Sequence, residues 1–420
     1  MSAASPTLVI VCDNASLKMG GESARPYHYF RIMRSRGVDA YLVTHERCRK
    51  ELQNLLSPED FARSYYAPDT RIHKTLWKMG APFPHQFRIS TFGALGMFLT
   101  ERWQRKLIRG LVPEKKIELV HQPTPISPKQ PSAIHSMGVP VVIGPLNGDI
   151  NYPPAFSYME GGLVKLSVAV SRFAGKVLNF LIPGKRRASV ILVSNERTRK
   201  ALPSTQAKVI QLVANAVDLK SWDAPPAKSE GEPPRFCFLG RLVDFKMVDL
   251  LLEAFKPVAK KYNAQLDIIG EGDKRAEWEA LASHLGLAGH VTFHGWKKYA
   301  DAAAIMAGAD AMVFPSLREC GGAVVMEAMA VGLPVIAADW GGPADYVGDD
   351  NAGMLVKPDT KEGFVRDLTA SITKIAADPV LARQMSQNAR GRAEREFQWD
   401  SRVDALMKVY AEVLSGSLSR

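Results

Sequence analysis

The sequence predicts an α/β protein of two Rossmann-like domains facing each other across a cleft. Three observations predict it. Short apolar runs alternate with amphipathic stretches along all 420 residues, the chain is 46% hydrophobic, and one proline-rich polar segment divides it near the middle. That length and apolar content suffice for two packed cores rather than one.

In the first half the strand-like runs are Leu8–Cys12, Ala40–Thr44, Leu119–His121, Val139–Ile143 and Val190–Ser194. In the second half they are Arg235–Leu239, Gln265–Gly270, Val291–His294, Ala311–Pro315 and Pro334–Ala338. Strand–helix alternation gives parallel sheets covered on both faces. Asp223–Pro234 (DAPPAKSEGEPP) is polar and breaks both periodicities, so it reads as the linker. The strand-like Lys208–Val217 precedes it and is expected at the junction. The expected domains are residues 1–207, joined by a C-terminal helix within 399–420, and residues 208–398. Open parallel sheets bind ligands beyond the carboxyl ends of their strands, so two facing sheets imply one ligand cleft.

Composition excludes several classes. Four scattered cysteines (Cys12, Cys48, Cys237, Cys320) lack C-x-x-C spacing, which argues against a zinc site and a disulfide framework. The opening lacks the basic region and apolar core of a signal peptide, and no apolar run is long enough to span a bilayer. A cytoplasmic protein is expected. Its charge is uneven: residues 1–210 carry a net +16 and residues 211–420 a net −5, within a total of +11. Such asymmetry suits an anionic partner met by the first half, or else a solvated basic face.

Two stretches bear on that choice. In Phe98–Val112, Arg102, Arg105, Lys106 and Arg109 fall on one helical stripe beside Leu99, Trp103, Leu107 and Leu111. This reads as an ordinary helix packed on a sheet. In Leu163–Ile182, Lys165, Arg172 and Lys176 share one face of an otherwise apolar helix, followed by Lys185-Arg186-Arg187. That pattern suits either a sheet-packed helix or one lying in an anionic membrane interface.

Chemistry concentrates in three places. Between Pro315 and Pro334 a buried strand ends, Gly321-Gly322 permit close backbone approach, and a helix begins whose first N–H groups form an anion site. Glu319 precedes that helix and Glu327 lies in its second turn, so both carboxylates can accept from ligand hydroxyls. In the second place a strand ends at Gly240, followed by Arg241 and, five residues on, Lys246. One guanidinium fork and one point charge at a strand end suit a diphosphate. The third is Lys18–Phe30, where Gly20-Gly21 precede a helix from about Glu22 without a G-x-G-x-x-G fingerprint, so nicotinamide binding is not supported.

Together these stretches resemble glycosyltransferase family 4, retaining enzymes of the GT-B fold. The resemblance is strong over Arg235–Pro358 and weaker before it. It rests on Gly240-Arg241 with Lys246, IIGEG (Ile268–Gly272), VTFHGW (Val291–Trp296) and ADAMVFPS (Ala309–Ser316). The Glu319-x7-Glu327 spacing, EAMAVGLPVIA and the Gly341-Gly342 turn complete it. VANAVD (Val213–Asp218) is similar to a family NGVD element, and Trp399–Leu414 to a C-terminal helix crossing back onto the first domain.

The resemblance implies transfer of a sugar from a nucleotide-sugar, UDP-linked in preference to GDP-linked, to a saccharide or lipid-linked saccharide at the inner membrane face. It implies a place in bacterial-type surface polysaccharide or glycoconjugate synthesis. Glu319 would hold the sugar hydroxyls and Glu327 the ribose. Arg241 and Lys246 would neutralise the diphosphate, helped by backbone N–H groups at Gly20, Gly21, Gly322, Ala323 and Val324. No metal or other cofactor is implied.

The sequence departs from the family pattern at Asn147, where many members carry a histidine, and at Gly321, where phenylalanine is usual. His121 matches another family histidine, and the resemblance makes Asn147 and His121 candidate catalytic residues beside Glu319, Arg241 and Lys246. A nucleotide-sugar epimerase of the same architecture and a basic nucleic-acid binder are the competing readings; the latter lacks any recognisable motif and aromatic interleaving.

Overall fold

The computed structural model describes residues 5–83, 88–160, 175–222, 231–348 and 351–417. Much of the apolar stretch Leu163–Ile182 and of the linker Asp223–Pro234 lies outside them; residues 175–181 are helical.

The chain divides into two units. The first comprises Met1–Asp149, Gly162–Asn215 and Arg402–Arg420; the second comprises Ile150–Gly161 and Ala216–Ser401.

The first unit holds seven parallel strands: β1 (Leu8–Val11), β2 (Ala40–His45), β3 (Ser64–Ala67), β4 (Leu119–Gln122), β5 (Val141–Leu146), β6 (Val190–Val193) and β7 (Lys208–Gln211). Their order is β3-β2-β1-β4-β5-β6-β7. Register is set by apolar pairs such as Leu8 beside Ala40 on one side and Leu119 on the other. Strands β1, β2, β4, β5 and β6 are buried throughout, as parallel strands covered on both faces must be. Strand β7, expected at the junction, pairs with β6 and forms the sheet edge, so this unit runs on to Asn215.

The second unit holds β8 (Arg235–Leu239), β9 (Gln265–Ile269), β10 (Val291–Gly295), β11 (Ala311–Phe314), β12 (Val335–Ala338) and β13 (Gly353–Val356), in the order β10-β9-β8-β11-β12-β13. Both sheets therefore reverse direction of growth once, between β1 and β4 and between β8 and β11. In open α/β sheets ligands bind at such switch points, beyond the strand ends.

The long helix Ala94–Glu114 extends beyond the expected Phe98–Val112 at both ends, and it buries Ile108 and Leu111 against the first sheet. Among the described residues no helix is long and apolar enough to cross a membrane.

Candidate functional site

In the second unit the switch point brings together the residues that follow β8 and β11. After β8, Asp244–Lys246 form a tight turn and Met247 takes a left-handed conformation (φ 53°) before helix Val248–Tyr262. After β11, Ser316 and Leu317 bond to the carbonyl of Phe245 (3.3 and 2.9 Å), which ties the two strand-end loops together. Lys246 is thereby held under Glu319, and its ammonium donates to Oε2 of that carboxylate. The ammonium also lies 4.5 Å from the centre of the Phe314 ring.

Lys246 is buried, and desolvation pulls its pKa down; the Glu319 carboxylate opposes the fall, while the charge of nearby Arg241 adds to it. Arg241 itself is exposed.

Gly322 caps helix Ala323–Val331 in the left-handed region (φ 68°). A Cβ there would stand 3.2 Å from Glu319 Cγ and 3.3 Å from Pro343 Cγ, so the glycine allows the loop to close onto Glu319. The N–H of Gly342 donates to the Glu319 carbonyl (2.8 Å), fixing the backbone that aims the carboxylate. The first N–H groups of the helix, at Ala323 and Val324, lack intrahelical partners by construction and are available to an anion.

Glu327 lies one turn into this helix, and desolvation raises its carboxyl to about 7. It has no hydrogen-bond or ion-pair partner among the described residues, and its charge raises the phenol of Tyr299, which is chiefly raised by burial.

Two side chains, Tyr299 and Arg318, escaped the sequence reading. Trp296 (71% exposed) and Tyr299 (69% exposed) follow the end of β10, and Tyr299 meets Trp222 edge-on at 5.8 Å. Arg318 stacks on Tyr152 at 5.6 Å. Large aromatics left exposed just after a strand end were the available signal.

In the first unit Gly20 (φ 92°) caps helix Gly21–Ser35; open space surrounds its missing Cβ, so the backbone conformation alone requires glycine. Asn147, directly after β5, is buried; its N–H donates to the Ile126 carbonyl (2.8 Å) and its Oδ1 accepts from Asn195 Nδ2 (3.4 Å).

His121 is not placed to touch a ligand. It is fully buried, its Nε2 lies 2.6 Å from the Gly144 carbonyl and its Nδ1 2.7 Å from the Tyr410 hydroxyl. Burial lowers it to about 4, so it stays neutral. With both nitrogens engaged, the expected catalytic role gives way to a structural one: the ring joins β4 to helix Trp399–Leu414.

One cluster has metal-like spacing. Ligand atoms of His45, Asp69 and His73 lie within 4.8 Å of one another. Its hydrogen bonds oppose a cation. The Nδ1 atoms of His45 and His73 accept backbone N–H groups of Arg47 (3.1 Å) and Thr70 (3.2 Å), which puts the proton of each neutral ring on Nε2. A protonated nitrogen is not a ligand, so this trio does not fit a metal.

The fold and the Lys246–Glu319 switch point define the class: the chain has the α/β GT-B fold of glycosyltransferases. Residues 222–392 match the family described as Glycosyl transferases group 1.

Over 196 residues the chain is 30% identical to the lipopolysaccharide core biosynthesis glycosyltransferase LpsE of Rhizobium meliloti, covering 47% of this chain and 54% of that protein. Over 176 residues it is 30% identical to the lipopolysaccharide glucosyltransferase WaaG of Escherichia coli, covering 41% and 44%. The chain thus matches about half the length of these curated relatives.

Solved structures extend the fold to nearly the whole chain. Sucrose-phosphate synthase from Thermosynechococcus elongatus superposes with a TM-score of 0.64 at 18% identity, over 98% of this chain and all of that one. HepE of Anabaena, in complex with UDP, gives 0.63 at 18% over 97% of this chain and 100% of its own.

Proposed function

We propose that the chain is a retaining glycosyltransferase that moves a sugar from a nucleotide-sugar to a saccharide or lipid-linked saccharide. The observation that carries the proposal is the pairing of a buried lysine with a carboxylate at the β8/β11 switch point, directly before a glycine-capped helix start. The lysine and the exposed Arg241 supply two positive charges at a strand end, which suits a diphosphate leaving group. Glu319 and Glu327 supply acceptors for sugar and ribose hydroxyls. A UDP-sugar is favoured over a GDP-sugar; the UDP held by HepE supports that choice.

In this reading the bond between the anomeric carbon and the diphosphate oxygen breaks, and its electron pair goes to the phosphate. Lys246, Arg241 and the N–H groups of Ala323 and Val324 stabilise the developing charge, so no metal is required. The acceptor hydroxyl attacks on the same face of the sugar, and its proton passes to the departing phosphate oxygen.

The acceptor side is placed in the first unit, at the cytoplasmic face of a membrane, in bacterial-type surface polysaccharide or glycoconjugate synthesis. Support comes from the names of the curated relatives and from exposed apolar side chains beside basic ones, Leu178, Phe180 and Leu181 near Arg186 and Arg187.

A thermal-shift panel of UDP-, GDP- and ADP-sugars identifies the donor, because a ligand bound only by the folded state raises its stability. NMR then follows the donor: transfer requires the acceptor, whereas change of the free donor alone would reveal an epimerase. Glu319→Ala and Lys246→Ala should each remove most transfer, and full turnover by both overturns the proposal.

A further inference from the structure

Helix Ala94–Glu114 carries an uncompensated cationic groove on the first unit. A cavity of about 390 Å³ is lined by Arg102, Arg105, Lys106 and Arg109 together with His135 and Leu181. No acidic side chain lines it among the described residues. None of the four helix cations makes an ion pair with an acid among the described residues, although ion pairs are common elsewhere on this surface. The Nε of Arg105 is buried and has no acceptor. A buried guanidinium donor without a partner, in a crowd of like charges, is costly unless a ligand supplies the acceptor.

The surroundings confirm the crowding. Arg187 closes on the same wall: its Nη1 donates to the Ser136 hydroxyl (3.2 Å), while Arg109 Nη2 donates to the Ser136 carbonyl (3.2 Å). Desolvation, then the charges of Arg109, Arg102 and Arg187, pull Arg105 down; desolvation, then the charges of Arg105, Arg187 and Arg109, lower His135 to about 4. In both shifts burial is the larger cause, and like charges from neighbouring arginines add to it.

We propose that this groove is a binding site for a phosphomonoester or diphosphate group, gripped by Arg105 and Arg109 and neutralised by Arg102 and Lys106. Guanidinium forks match phosphate oxygens two at a time, and an ammonium adds a point charge. Its residues belong to the first unit, whereas those of the donor grip belong to the second. Its phosphate could be carried by a soluble phosphorylated molecule or by a lipid headgroup at a bilayer surface.

Two probes test it on the full chain: inorganic pyrophosphate in calorimetry, and vesicles of phosphatidylcholine with or without phosphatidic acid in co-flotation. Pyrophosphate should give a binding event that Arg105→Gln/Arg109→Gln weakens by about tenfold or more. Lys260→Gln, an exposed cation on a helix of the second unit with no part in either site, should leave that event in place. The affinity should fall between about 0.1 M and about 1 M salt, as the screening length shortens from about 10 to about 3 Å.

If the double variant melts early, Arg102→Gln/Lys106→Gln, at two exposed positions of the same groove, takes its place. Binding to phosphatidic acid vesicles alone, lost in the variants, supports the site with a lipid source. Absence of binding to either probe, or binding unchanged in both variants, overturns it.

Discussion

The Lys246 ammonium bonds to the Glu319 carboxylate across 73 residues of sequence, over the face of Phe314. The two partners are unequally buried: the lysine side chain is 9% exposed and the glutamate 23%. Removing either therefore has unequal consequences. Glu319→Ala strands a buried ammonium and should cost about 2 kcal/mol, below the 3–5 kcal/mol of a fully buried pair. Lys246→Met keeps the apolar stem against Phe314 and leaves a carboxylate that water can reach, so it should cost about 1 kcal/mol or less. Urea denaturation of both variants checks the ranking. The reverse order would show that the pair is not held in this geometry.

Glu327 gives a pH dependence. Its carboxyl is raised from 4.5 to about 7, so the folded chain binds this proton more tightly than the unfolded chain. The stability it contributes is full below the unfolded value and is lost as pH rises through about 7. Nucleotide binding should run the other way, because a ribose hydroxyl needs the ionised carboxylate as acceptor. UDP affinity should rise severalfold from about pH 6 to about pH 8. Glu327→Gln should flatten that profile, and a profile unchanged in the variant would remove Glu327 from the nucleotide site.

How far the sequence carried depends on where the signal lies. Strands such as β8 and β11 were legible because burial on both faces forces contiguous apolar runs. β3 (SYYA) and β13 (GMLV) were not, being four-residue strands only partly buried, with a serine and a glycine at their starts. Lys246 and Glu319 were each legible as charged residues at a strand end and before a helix start, from the glycines and spacing around them. Their contact was not, because it depends on the order in which β8 and β11 join the sheet. His121 misled for the same reason: a strand-end histidine is visible in sequence, whereas its partner Tyr410 arrives 289 residues later. The basic stripe of helix Ala94–Glu114 was plain from its period, but the lack of any facing acid emerged only in three dimensions.

Gly322 should be sensitive to a single methyl group. Its left-handed conformation costs an alanine about 1 kcal/mol, and the added Cβ would press on Glu319 Cγ and Pro343. Gly322→Ala should thus lower stability modestly and turnover strongly, because the displaced carboxylate and helix start belong to the same grip. Thermal denaturation beside a donor-consumption assay separates the two effects. Full turnover in a stable variant would show that the loop tolerates the shift.

Tyr410 tests whether His121 is structural. The Tyr410 hydroxyl lies 2.7 Å from His121 Nδ1, both side chains are fully buried, and the ring of Tyr29 stacks on the imidazole at 5.9 Å. Tyr410→Phe deletes the hydroxyl and leaves a buried nitrogen without a partner, at a cost of about 1–3 kcal/mol. Because the Gly144 carbonyl occupies Nε2, the imidazole has no route to a substrate, and the variant should keep its kcat and KM once folded. A lower melting temperature with unchanged kinetics is the expected result. A large fall in kcat in a variant of unchanged stability would return His121 to the chemistry.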